Sequence, residues 1–177
     1  MRLGTLALIG ALALAGCTQV GVNTAGAPGT DGVTPAQIRT LISRDGATAT
    51  VQSLDKDSGA VTFDKVLSGI ASGREEWLGL VPLLAPGVDG GTSTGLQMAV
   101  TDALLRNPAG VLRLAASGWP VADSCSYPMS TMTEEGAQEF FAAAVPALNA
   151  VTDPSLQAIK QSCLTEMRTG RDMGGRG

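Results

Sequence analysis

The chain contains no histidine. Catalytic triads that need an imidazole base, the usual His-containing zinc sites and histidine pH switches are therefore excluded. Aromatic side chains are nearly as scarce: Phe63, Trp77, Trp119, Tyr127, Phe140 and Phe141 are the whole set, 3% of 177 residues. So few disfavour a carbohydrate-stacking groove and most all-β cores. Lysine and arginine number 12 against 16 carboxylates, a formal charge of −4, and they are dispersed along the chain. Without a basic stripe to track phosphates, the sequence speaks against nucleic acid as a partner. Without a polybasic patch, it speaks against electrostatic adhesion to a bilayer. The uncharged apolar run from Leu3 to Leu14 is shorter than the roughly 20 residues a membrane-spanning helix needs.

What is present at the N-terminus has an order to it. Arg2 supplies a short basic region, Leu3 to Leu14 an apolar core of signal-peptide length, and Leu14-Ala15-Gly16-Cys17 closes it. This segment resembles the signal of bacterial lipoproteins, whose lipobox of branched apolar, small, small and cysteine is matched at all four positions. The resemblance implies cleavage between Gly16 and Cys17, with acyl chains on the Cys17 thiol and on its new amino group. Each buried methylene contributes about 0.8 kcal/mol and stable anchoring takes more than one chain, so a multiply acylated Cys17 would hold the protein on a membrane. In that family an Asp after the cysteine favours retention in the inner membrane. Thr18 stands there instead, which implies the outer membrane, facing the periplasm, in a Gram-negative cell. The alternative is a buried helix from Leu3 to Leu14 with an ordinary thiol at Cys17; the order of charge, apolar run, small residues and cysteine weighs against it.

Cleavage would leave 161 residues and a formal charge of −5, since Arg2 departs with the signal. That is the size of one domain with its own core. Residues 17–32 form the lipidated cysteine and a tether, with Gly21, Gly26, Gly29 and Gly32 and a single proline. As a random coil, about fifteen such residues span roughly 20 Å. Lipidation also bears on the cysteine count. Three cysteines leave an odd thiol in an oxidising compartment, but with Cys17 acylated, Cys125 and Cys163 remain as one possible pair.

From residue 33 onward the pattern is helical. Thr34-Pro35 reads as a cap followed by a proline at the first helical position, with Ile38, Leu41 and Ile42 behind it. Ala47 to Leu54 is expected to form a second short helix. Phe63, Val66, Leu67 and Ile70 fall on one face of a third, stopped by Gly73. Trp77, Leu80, Val81 and Leu84 predict a fourth helix kinked by Pro82 and ended by Pro86-Gly87. Thr92 to Arg106 predicts a fifth, and Asn107-Pro108 a break before a sixth through Val111, Leu112 and Leu114. Val121 to Ser130 reads as a loop carrying Cys125. Thr133 to about Val151 and Pro154 to about Arg168 predict a final helical pair, with Thr131 and Glu134 at capping-box spacing, Pro146 bending or breaking the first member and Asp153 capping the second. Residues 169–177, polar and glycine-rich, are expected to be a disordered tail.

The expected architecture is thus all-α: a single domain over residues 33–168, a compact bundle or short solenoid of seven to eight short helices. Leu80-Val81-Pro82-Leu83-Leu84, Asp89, Val100, Ala103 and Leu104 resemble one HEAT-type helical pair, in which proline bends the first helix and a turn aspartate starts the second. The likeness covers about thirty residues, its Asp89 to Val100 stretch is long for the pattern, and no second copy recurs at a fixed period. If Thr152-Asp153-Pro154 turns an antiparallel hairpin, Cys163 lies opposite a point near Phe141, and the Cys125 loop must fold back about 12 Å to reach it, at 1.5 Å rise per residue. The bridge would close a loop worth on the order of 4 kcal/mol in the chain-entropy model. A structural disulfide is the favoured reading; a free thiol pair and a redox couple are the alternatives, the latter without a Cys-X-X-Cys motif.

Other candidate motifs have plainer readings. Asp55-Lys56-Asp57-Ser58-Gly59 begins like a calcium loop, but Gly59, Ala60 and Val66 fill positions that need an oxygen ligand, a glycine and a glutamate. Glu75-Glu76 and Glu134-Glu135 are raw material for acid/base catalysis, yet each pair is expected in a helix's first turn, where negative charge complements the dipole. Ser58-Gly59, Ser68-Gly69 and Ser72-Gly73 lack a nucleophile-elbow frame, and Gly87 to Gly91 lacks a phosphate-loop lysine. Trp119 and Tyr127, flanking the cysteine loop, are candidate anchors for a protein partner, set against ordinary core packing. No catalytic residue, metal ligand or cofactor site is nominated. The function expected is a non-catalytic interaction or scaffold module of the cell envelope, bound to the membrane through Cys17 and to an envelope protein. A periplasmic inhibitor or immunity protein, and a carboxylate-dependent envelope enzyme, are the alternatives.

Overall fold

The computed structural model describes residues 32–56, 61–126 and 133–174. Leu14-Ala15-Gly16-Cys17, the expected tether up to residue 31, Asp57-Ser58-Gly59, Tyr127 and Thr131 lie outside the described residues. Among those described, the chain is all-α, with ten α-helices and no strand.

Thr34 and Gln37 start α1 (Pro35–Asp45) with a reciprocal box: the Gln37 amide donates to the Thr34 hydroxyl at 3.3 Å, and the Thr34 amide to Gln37 Oε1 at 2.8 Å. Gly46, at φ 82°, turns the chain into α2 (Ala47–Lys56), which buries Thr50, Val51 and Leu54. Thr50 is tolerated in the helix because its hydroxyl donates back to the Gly46 carbonyl at 2.8 Å. α3 (Phe63–Ala71) buries Phe63, Val66 and Ile70, and Gly73 (φ 73°) follows it.

The fourth helix expected from the sequence is two single turns, α4 (Glu75–Leu78) and α5 (Val81–Leu84), followed by a 3₁₀ turn at Ala85–Gly87. Pro82 has no N–H for the Leu78 carbonyl, and its ring crowds that carbonyl. The backbone tightens there, with Leu80 N donating to Trp77 O at 2.9 Å and Leu83 N to Leu80 O at 3.0 Å. Trp77, Leu80, Val81 and Leu84 still reach the core, all 0% exposed. Glycine permits two close approaches here. A Cβ on Gly69 would stand 2.4 Å from the Trp77 ring, and one on Gly87 would stand 2.4 Å from the Ala47 backbone.

α6 (Gly90–Leu104) begins two residues before Thr92, because Thr92 Oγ1 accepts the Asp89 amide at 2.9 Å and so defines Asp89 as the cap. Asn107 caps α7 (Pro108–Ala116), its Oδ1 accepting from the Gly110 amide at 2.9 Å. The stretch read as a cysteine loop opens with a short helix, α8 (Val121–Cys125), placed behind Pro120. α9 (Glu134–Asn149) is capped by Thr133, whose hydroxyl accepts from the Gly136 amide at 3.1 Å, and it runs through Pro146 without ending. Asp153 caps a 3₁₀ turn, Pro154–Leu156, which opens into α10 (Gln157–Gly174). This last helix passes Arg168, where the sequence suggests a stop. Thr165 and Thr169 hydroxyls bond back to the Gln161 and Thr165 carbonyls, so polar residues continue the helix there. The two helices beyond the expected eight come from the division at Pro82 and from α8.

α6 and α7 lie in the middle. α3 packs on α6, α4 and α10 on α7, and α8 and α9 on both, while α1 packs on α2 and α5. α7 touches α4, α8, α9 and α10 together, contacts that a solenoid of nearest neighbours would lack. One continuous apolar cluster results, running from Ile38 and Val51 through Trp77, Leu96, Leu104 and Leu112 to Leu148 and Met167. Cys125 and Cys163 are disulfide-bonded, with Cα atoms 5.3 Å apart and both side chains 0% exposed, so the bridge fastens α8 to α10 inside this core.

Candidate functional site

The disulfide sits within a small polar collar. Thr101 on α6 donates to the Ser126 carbonyl at 3.3 Å, and Ser126 donates to Glu166 on α10 at 3.2 Å. Together with Cys125–Cys163 these bonds hold the end of α8 between α6 and α10. Beside them Ser124 is fully buried, with its hydroxyl unpartnered among the described residues. Asp123 is partly buried, and desolvation pushes its carboxyl above the ordinary range. Trp119 is half-buried against the core, its indole N–H buried without a partner among the described residues. Tyr127, the second candidate anchor, lies outside those residues.

Both glutamate pairs occupy first turns, as their helical positions require. Glu75 is engaged twice from α7: by the Arg113 guanidinium, and by Asn107 Nδ2 at 3.2 Å. Burial alone would raise its pKa, but the hydrogen bonds from Arg113 and Asn107 and the guanidinium charge outweigh that and hold it below the usual value. Glu76 pairs with Arg74 at 3.4 Å, and Glu134 accepts from Gln138 at 3.4 Å. Asp153 is also held low. The Ser155 hydroxyl and amide donate to it, burial opposes them, and the Arg113 charge adds to the effect. Arg113 therefore works electrostatically between α4 and the turn before α10.

Two polar residues make structural contacts that the sequence reading did not anticipate. Asn107 Nδ2 donates to the Gly73 carbonyl at 2.7 Å, so a side chain that caps α7 also ties down the turn after α3. The Asn-Pro dipeptide signals the cap, but the partner 34 residues away has no local signal. Lys160 is 8% exposed and donates from Nζ to the Val151 carbonyl at 2.9 Å, placing its ammonium at the negative end of α9.

Two concave surfaces remain. A groove of about 350 Å³ lies between α3 and α6, floored by Leu67, Ala71, Met98 and Ala99, with Asp64 and Asp102 on its walls. Gly95 lies against Leu67, while Gly73 lies against Ala103 and Asn107, so α3 and α6 run parallel along this groove. A second hollow of about 400 Å³ opens along α9 over Gln138, Phe141, Ala142, Val145 and Pro146. Such surfaces can receive apolar side chains. Ser68, the serine in the first groove, has no imidazole available anywhere in the chain to activate it.

Among the described residues, no group of three or more cysteine or carboxylate side chains is placed to hold a metal ion, and no helix is long and apolar enough to cross a membrane. No protein-family model, curated protein or solved structure matches this chain.

Proposed function

We propose that this chain is a lipid-anchored protein of the bacterial cell envelope, on the outer membrane facing the periplasm, whose helical domain is a non-catalytic interaction or scaffold module. The observation that carries the reading is the cysteine arithmetic. With Cys125 and Cys163 joined and buried, Cys17 is the one cysteine left of three, and it stands at the acceptor position of a lipobox. A buried structural disulfide suits an oxidising compartment, the one a lipoprotein signal leads to. The interaction reading draws support from the carboxylates. Glu75 braces α4 to α7, Glu76 pairs with Arg74 at the start of its own helix and Asp153 caps the turn before α10, and the grooves on α3/α6 and α9 offer apolar surface without an activated nucleophile.

Intact mass spectrometry of the membrane-extracted protein, with and without reductant and alkylation, tests the anchor. The expected product begins at Cys17, carries added acyl mass and exposes two alkylatable thiols only after reduction. An unprocessed chain with three free thiols would overturn the compartment and the anchor together. Crosslinking of the anchored protein in intact envelopes tests the module: a discrete adduct with an envelope protein is expected, and a protein that remains uncrosslinked at every position tried on α3, α6 and α9 removes the scaffold reading.

A further inference from the structure

We draw no further inference here: the strongest candidate, the open groove between α3 and α6 lined by Leu67, Met98, Asp64 and Asp102, carries nothing because nothing in the structure shows what covers it.

Discussion

Joining Cys125 to Cys163 closes a loop with a sequence separation of 38, and the chain-entropy model assigns such a loop on the order of 4 kcal/mol of stabilisation, exerted by restricting the unfolded chain. For a domain of this length each kcal/mol moves the melting temperature by about 3–5 °C, so loss of the bridge should lower it by roughly 12–20 °C. The perturbation is best made twice, by reduction in denaturant followed by refolding under reductant and by the Cys125→Ala/Cys163→Ala double variant, in a chain lacking residues 1–16 and carrying Cys17→Ser. Alanine is preferred to serine because both sulfurs are fully buried, and a hydroxyl there would add a desolvation cost unrelated to the crosslink. Thermal melts followed by far-ultraviolet circular dichroism supply the readout. Burial adds a kinetic expectation: dithiothreitol with iodoacetamide should label neither cysteine until denaturant is present. A drop of less than about 3 °C in both perturbations, or rapid labelling of both thiols in native buffer, would refute the view that the bridge is a buried crosslink restraining the unfolded chain.

Gly69→Ala should destabilise by about 1–3 kcal/mol in urea titrations, because its Cβ would stand 2.4 Å from the Trp77 ring. Gly91→Ala, with nothing within 4 Å of the new Cβ, should be neutral or stabilising by up to about 1 kcal/mol, and equal costs at the two positions would contradict the packing described. Asn107→Ala removes the cap of α7 and the bond to Gly73 and should cost about 1–2 kcal/mol by the same assay; a neutral result would show that this tie contributes nothing. The pH dependence follows from the carboxylates. Glu75 and Asp153 have folded pKa values below their unfolded ones, so their contribution is present above the unfolded values of about 4 and is lost as pH falls through the folded ones. Asp123 is raised and acts oppositely: its contribution is present at low pH and lost as pH rises through its folded value. Melting temperature should therefore be flat from about pH 6 to 8, in a chain without histidine, and should fall in acid. Glu75→Gln should flatten the acid limb, whereas Asp123→Asn should stabilise at pH 7 with a gain that shrinks towards pH 3. A transition near pH 6.5 would contradict this account.

Apolar periodicity and cap chemistry are local quantities, and what depends on them is legible residue by residue. Phe63, Val66 and Ile70 fall on one helical face whatever surrounds them, and Thr34-Pro35 and Asn107-Pro108 start helices because hydroxyl, amide and proline meet the needs of a helix N-terminus by themselves. The pairing of Cys125 with Cys163 is legible through the count, since a lipidated Cys17 would leave these two, and a hairpin at Thr152-Asp153-Pro154 puts Cys163 within reach of a loop that folds back from Cys125. Where two local rules compete, the outcome passes to packing. Pro82 divides a helix that its apolar spacing would join, whereas Pro146 leaves α9 whole. α8 is too short to be stable alone and has no cap bond from a side chain; its contacts with α6 and α10 and the disulfide hold it.

The candidate surfaces divide in the same way. The signal pattern from Arg2 to Cys17, the lack of histidine and the scarcity of aromatic residues are properties of the sequence alone, and they set the compartment proposed and the chemistry excluded. The groove between α3 and α6 and the tie from Asn107 to Gly73 arise from residues brought together across tens of positions, and the seat of Lys160 on the Val151 carbonyl from the fold of the turn between α9 and α10. Only the tertiary structure decided these, because hydrogen bonds and apolar contacts depend on distance in space, and helical periodicity assigns each residue a face without naming the helix that will cover it.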